Sequence, residues 1–107
     1  MPLCMNKVRI IGGSMRSRVI SFPDAEGLRP TPDRVRETLF NWLQPRLAGS
    51  RCLDLFCGSG ALAIEALSRG ADSAVLVDTD PALARRNVEE LGLSNRCEIV
   101  RSDAIRY

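Results

Sequence analysis

The chain has 107 residues, of which 45% are hydrophobic, and a net charge of +2. That length suits one small domain with a real core, not two. Four scattered cysteines without a CxxC pair, and no histidine, argue against a zinc site and a disulfide framework. No signal peptide or membrane-length apolar run is visible, so reduced thiols, a cytoplasmic location and no membrane or metal partner are expected.

The elements fall in order along the chain. Residues 8–11 and 18–22 alternate weakly around Gly12-Gly13-Ser14 and predict a β-hairpin. Residues 23–30 carry Pro, Gly and Asp and read as a loop. Thr31-Pro32-Asp33 predicts a helix start, with Thr31 as cap and Pro32 first in the helix. Val35, Leu39, Trp42 and Leu43 form an apolar stripe at helical spacing, with Phe40 and Trp42 expected in the core. Pro45 is expected to end or kink this helix. The amino-terminal half, residues 1–51, is basic and favours an anionic partner on that side.

From residue 51 the pattern is strand, helix, strand, helix, strand. A strand over 51–56 leads into a helix over about 60–69, closed by Gly70. Glu65 and Arg69 stand four apart in the favourable order for a structural ion pair. A strand at 74–77 precedes a helix capped by Asp80, with Pro81 first, Ala84, Val88 and Leu91 inward, and Gly92 as the stop. The last strand is placed at 97–101. This alternation implies an α/β fold with a parallel sheet and right-handed crossovers.

The octet Asp54-Leu-Phe-Cys-Gly-Ser-Gly-Ala61 is the most informative segment. A strand ending in a glycine elbow lets a ligand approach bare backbone at Gly58 and Gly60. Asp54 beside the elbow would repel a pyrophosphate, so a ligand with a cationic group fits better. S-adenosylmethionine carries an ammonium and a sulfonium. Asp78 ends the next apolar run, where βαβ folds place an acid for ribose hydroxyls. Asp103 follows the third run, Ile99-Val100. Three strand-end acids would line one crevice at the carboxyl edge of the sheet. Cys57 reads as a small residue in a tight turn.

The segment Leu28-Arg-Pro-Thr-Pro-Asp-Arg-Val-Arg-Glu-Thr-Leu-Phe-Asn-Trp-Leu43 resembles the signature of the RsmD family, bacterial methyltransferases of N2 of a guanine in small-subunit ribosomal RNA. Residues 10–13 (Ile-Ile-Gly-Gly) and 53–71 match it too, so the resemblance runs from about residue 8 to the end. It implies a Rossmann-like class I S-adenosylmethionine-dependent fold, here truncated, after an amino-terminal hairpin and helix. Residues 1–30 would form the basic hairpin and loop, and 31–107 a partial cofactor domain. Asp54 would hold the methionine end, Gly58 and Gly60 the approach, Asp78 the ribose, and Asp103 with the Ala104 N–H the adenine edge. Arg9, Arg16, Arg18, Arg29, Arg34 and Arg36 would face RNA, and Thr31 would reach the cofactor. The partner would be ribosomal RNA or the small ribosomal particle, with the enzyme a monomer.

Enzymes of this type carry an Asn/Asp-Pro-Pro-aromatic motif after a fourth strand, and these 107 residues contain none. No catalytic residue is therefore expected within them. The early stop at Tyr107, with an exposed sheet edge, predicts a fragment or truncated product of a longer protein. Two other readings stand beside this one. Gly58-x-Gly60-x-x-Ala63 with Asp78 meets the loose fingerprint of a nicotinamide-dependent oxidoreductase. A non-catalytic cofactor-binding or RNA-binding remnant is the third.

Overall fold

A computed structural model describes residues 5–23 and 32–103. Two strands, β1 (Met5–Arg9) and β2 (Val19–Pro23), form an antiparallel hairpin with Val8 opposite Ile20. Helix α1 (Asp33–Leu47) follows. Then come β3 (Arg51–Asp54), α2 (Ala61–Ser68), β4 (Ser73–Asp78), α3 (Ala82–Glu90), a single 3₁₀ turn at Ser94–Arg96, and β5 (Cys97–Arg101). The three later strands make a parallel sheet in the order β3-β4-β5. Leu53 pairs with Val75, and Leu76 with Ile99. The expected α/β architecture is therefore present, and β5 spans the residues foreseen.

One core joins all of it. Val8, Ile10 and Ile20 of the hairpin pack with Phe40 and Leu47 of α1, Ile64 and Leu67 of α2, and Ala84 and Val88 of α3. Helix α2 is apolar almost all round, and seven of its eight residues are buried. Such a helix is stable only when covered on every side. Arg96 helps close its far end by donating to the carbonyls of Leu67 and Ala71. Gly70, at φ +117°, turns the chain out of the helix as expected.

Helix α1 departs from expectation. It buries Arg36, Phe40 and Leu47, while Val35, Leu39, Trp42 and Leu43 lie on the outside. Trp42 is 78% exposed, so only Phe40 of the two aromatic residues joins the core. The helix is rotated because Arg36 turns inward to a buried carboxylate, described below. Pro45 neither ends nor interrupts it. The helix runs two residues further, to Leu47, although Pro45 has no N–H to offer the Asn41 carbonyl. The predicted start at Thr31 lies outside the described residues, and Pro32 occupies the cap position. Helix α3 also starts one residue late, with Pro81 at the cap and the Asp80 carboxylate reaching the Ala82 N–H at 3.4 Å.

Nothing among the described residues pairs with the outer edge of β3. Leu53, Leu55 and Phe56 are exposed beside it. A hollow of about 560 Å³ opens between α1 and β3, lined mostly by apolar side chains with Asp54 at its rim.

Candidate functional site

Asp54 and Asp78 end neighbouring parallel strands, and Asp103 lies two residues past the end of β5. In register Asp54 sits beside Leu76, and Asp78 beside Arg101, so the acids step outward along the carboxyl edge. The sheet thus brings all three acids to the edge that the sequence implied.

The elbow between β3 and α2 is held from several directions. The Cys57 N–H donates to the Val77 carbonyl at 3.1 Å, tying it to β4. The Gly58 N–H donates to Asp78 Oδ2 at 3.0 Å. The Gly60 N–H closes the turn on the Cys57 carbonyl at 2.7 Å. Asn87 of α3 donates its side-chain amide to the Ser59 carbonyl at 2.9 Å. Both glycines need left-handed backbone, with φ +51° at Gly58 and +86° at Gly60. They differ in a second respect. A Cβ at Gly58 would meet nothing within 4 Å, so that face of the backbone is bare. A Cβ at Gly60 would stand in ordinary contact, 3.4–3.5 Å, with Ile64, Leu76 and Ala84, so that face of Gly60 is turned toward the core.

The electrostatics follow from this crowding. Burial pushes the Asp54 carboxyl up from its ordinary value; the Phe56 N–H partly offsets this, and Asp78 adds to it. The carboxylate is desolvated and faces another acid, which is the setting a cationic ligand would relieve. Cys57 is pushed up to about 12 by burial and by both carboxylates. Its thiol stays protonated near neutrality and is a poor nucleophile. Asp78 uses one oxygen for Gly58 and the other for the Asp80 N–H at 3.0 Å. A carboxylate offers about four acceptor positions, so capacity for ribose hydroxyls remains.

The arginines divide. Arg9, Arg16, Arg18 and Arg34 are exposed. Arg36 is fully buried at 0% exposure and cannot face RNA, which corrects its assignment. Its guanidinium donates to Asp33 Oδ1 at 2.7 Å and to the Arg9 carbonyl at 2.8 Å, and lies 3.7 Å from Glu65. Arg29, Thr31 and Ala104 lie outside the described residues. Among the described residues no three histidine, cysteine, aspartate or glutamate side chains gather as a metal set. No described helix is long and apolar enough to cross a membrane.

Sequence reasoning read Glu65 as half of an ion pair with Arg69, and that bond is present at 2.8 Å. It missed the larger role. Glu65 is fully buried and also accepts the N–H groups of Ile11 and Gly12, each at 2.9 Å. Ser68 takes the Met15 N–H at 2.9 Å and donates to the Gly12 carbonyl. Gly13 lies so close that a Cβ would sit 1.8 Å from the Ser68 carbonyl oxygen. The Ile10–Gly13 motif is thus a docking turn for α2. A lone acid inside an apolar helix was the available signal. The turn docks on the end of α2 opposite the elbow. Eight helical residues span about 12 Å, so Arg16 and Arg18 are not at the crevice itself.

A three-stranded parallel sheet, a glycine elbow opening α2 and acids at successive strand ends define a Rossmann-like class I methyltransferase domain. Residues 8–107 match the family described as "Conserved hypothetical protein 95", and the chain belongs to that family, the RsmD family. It is 48% identical to "Ribosomal RNA small subunit methyltransferase D" of Escherichia coli (strain K12) over 103 residues, covering 94% of this chain and 52% of the relative. It is 42% identical to the protein of the same name from Haemophilus influenzae, covering 99% and 57%. The solved structure "Putative methyltransferase yhhF from Escherichia coli" superposes with a TM-score of 0.82 at 44% identity, over 94% of this chain and 55% of that one. The chain spans about half the length of the curated relatives it matches.

Proposed function

We propose that this chain is the cofactor-binding part of an enzyme that methylates N2 of a guanine in small-subunit ribosomal RNA, using S-adenosylmethionine. The observation that carries the reading is Asp54: a desolvated carboxylate beside Asp78 and a bare Gly58 backbone, with no cation to balance it among its described neighbours. The names of the relatives support ribosomal RNA as substrate. When bound, S-adenosylmethionine supplies an electrophilic methyl group on a sulfonium sulfur. Asp54 pairs with the ligand ammonium, and Gly58 lets the methionine end lie against backbone. The spare acceptor positions of Asp78 take ribose hydroxyls. Asp103 and the Ala104 N–H read the adenine edge. Arg29 and the exposed Arg9, Arg16, Arg18 and Arg34 meet RNA phosphates, a role that burial denies to Arg36.

The acceptors that orient the guanine amine are not among these 107 residues. The chain's own contribution is therefore to bind and orient, with the methyl acceptor held by groups elsewhere. The nicotinamide reading is not favoured, because Asp54 and Asp78 both act on the elbow where a pyrophosphate would lie. Calorimetry with S-adenosylhomocysteine and with NAD tests the proposal. Binding of the first, weakened by Asp54→Ala, is the expected result. Tighter binding of NAD, or an Asp54→Ala variant with unchanged affinity, would overturn it.

A further inference from the structure

Two consecutive residues of the elbow are hydrogen-bonded to the β4–α3 unit, and the third lies beside it. Asp78 holds the Gly58 N–H, Asn87 holds the Ser59 carbonyl, and Ala84 sits 3.5 Å from where a Gly60 Cβ would project. Ala84, Asn87 and Val88 share one face of α3, and all three are buried. Asn87 is only 2% exposed, so the side chain lies in the interior and draws the Ser59 carbonyl inward with it. A polar side chain on an otherwise apolar helix face costs free energy unless its hydrogen bonds are made. Here one of them falls on the loop that the ligand must approach.

We infer that Asn87 is a positioning residue for cofactor binding: it fixes the orientation of the Ser59–Gly60 peptide. That peptide ends on the left-handed Gly60, whose φ carries no Cβ penalty, so rotation of the plane on that side meets little steric resistance. Without Asn87 the Ser59 carbonyl is released from the interior and can turn toward the crevice. A carbonyl oxygen there opposes the carboxylate of an amino-acid ligand. The Gly60 N–H bond to the Cys57 carbonyl belongs to the same peptide and loosens with it.

The inference rests on the cofactor reading above, and the test separates the two. Asn87→Leu keeps the volume and removes the donor. Amide exchange is measured in the ligand-free chain, and S-adenosylhomocysteine affinity below the thermal midpoint, in this chain and in a version extended to the length of its relatives. The expected result is faster exchange at Gly58 and Gly60 with Val8 unchanged, and affinity about tenfold weaker. Affinity equal to wild type would overturn the inference and leave Asn87 a packing residue. If the wild-type protein itself binds no S-adenosylhomocysteine, the cofactor reading fails. The exchange arm then decides alone: unchanged Gly60 exchange removes the loop role, and faster exchange supports it.

Discussion

Asp78 and Gly58, twenty residues apart, are joined by a 3.0 Å hydrogen bond from the Gly58 N–H to Asp78 Oδ2. The acid assigned to the ribose is thus also the brace of the glycine elbow. In Asp78→Asn one oxygen must serve where two served Gly58 and Asp80, and an amide N–H₂ faces the other donor. Two effects are expected together: weaker S-adenosylhomocysteine binding, and a stability loss of about 1–3 kcal/mol from an unsatisfied group. Calorimetry and urea unfolding measure them. A variant as stable as wild type would contradict the bracing role.

Asp54 sets ligand binding against stability. Its folded pKa is raised above the ordinary 3.8, so between the two values the folded state holds more protons than the unfolded chain. Stability from this group is therefore greatest at low pH and declines as pH rises through the folded pKa. At pH 7 the unliganded protein carries the full cost. Asp54→Asn should raise the thermal midpoint at pH 7, and the gain should shrink toward pH 4. Ligand affinity should fall in the same variant. A lower midpoint at pH 7 would show that Asp54 is a structural acid.

Glu65 should behave in the opposite way. Glu65→Ala leaves the buried Arg36 guanidinium without its interior acid and the docking turn without its acceptor. Breaking a buried pair from one side costs about 3–5 kcal/mol. Chemical unfolding of the variant is the measurement, and a loss below about 1 kcal/mol would rule out the anchoring role.

For RNA, each lost phosphate contact should lower the salt slope of log affinity by about 1. Replacing Arg9, Arg16 and Arg18 with Ala should reduce the slope. Filter binding of small-subunit RNA across a salt series reads it. An unchanged slope would make these arginines a solvated face.

The 107-residue chain should not methylate RNA, even when it binds cofactor. Orientation of reacting groups supplies roughly 7–11 kcal/mol of a barrier, and the groups that would orient the amine are missing from this sequence. Radiolabelled methyl transfer, comparing the chain with a version extended through the Pro-Pro motif, gives the answer. Robust turnover by the short chain would relocate the catalytic site.

Local chemistry made much of this readable in advance. The elbow, the strand-end acids and the alternation of strands and helices follow from glycine spacing, apolar runs and helix stops, all short-range signals. The orientation of α1 was not readable. Its sequence offers two stripes at helical spacing, Val35-Leu39-Trp42-Leu43 and Arg36-Phe40-Leu47. Hydropathy favours the first. The second is buried because Glu65, far along the chain, supplies a carboxylate for Arg36. The same blindness placed Arg36 among the RNA contacts. Asn87 was missed although Ala84 and Val88 beside it read as inward, because its partner, the Ser59 carbonyl, is brought to it only by the fold.

The anchor of the hairpin turn is written almost wholly in main-chain atoms. Glu65 and Ser68 grip the N–H and C=O groups of Ile11, Gly12, Ser14 and Met15, and a missing side chain matters most at Gly13, with Gly12 close against Arg69. Ser14 adds one side-chain bond, its hydroxyl donating to the Ser68 carbonyl at 3.4 Å, whereas the exposed side chain of Arg16 takes no part in these bonds. The outer surface of the turn can therefore be rewritten, charge by charge, without unfastening it from α2. A scaffold of this kind lets selection or an engineer retune what the hairpin touches while the crevice at the other end of the helix stays as it is.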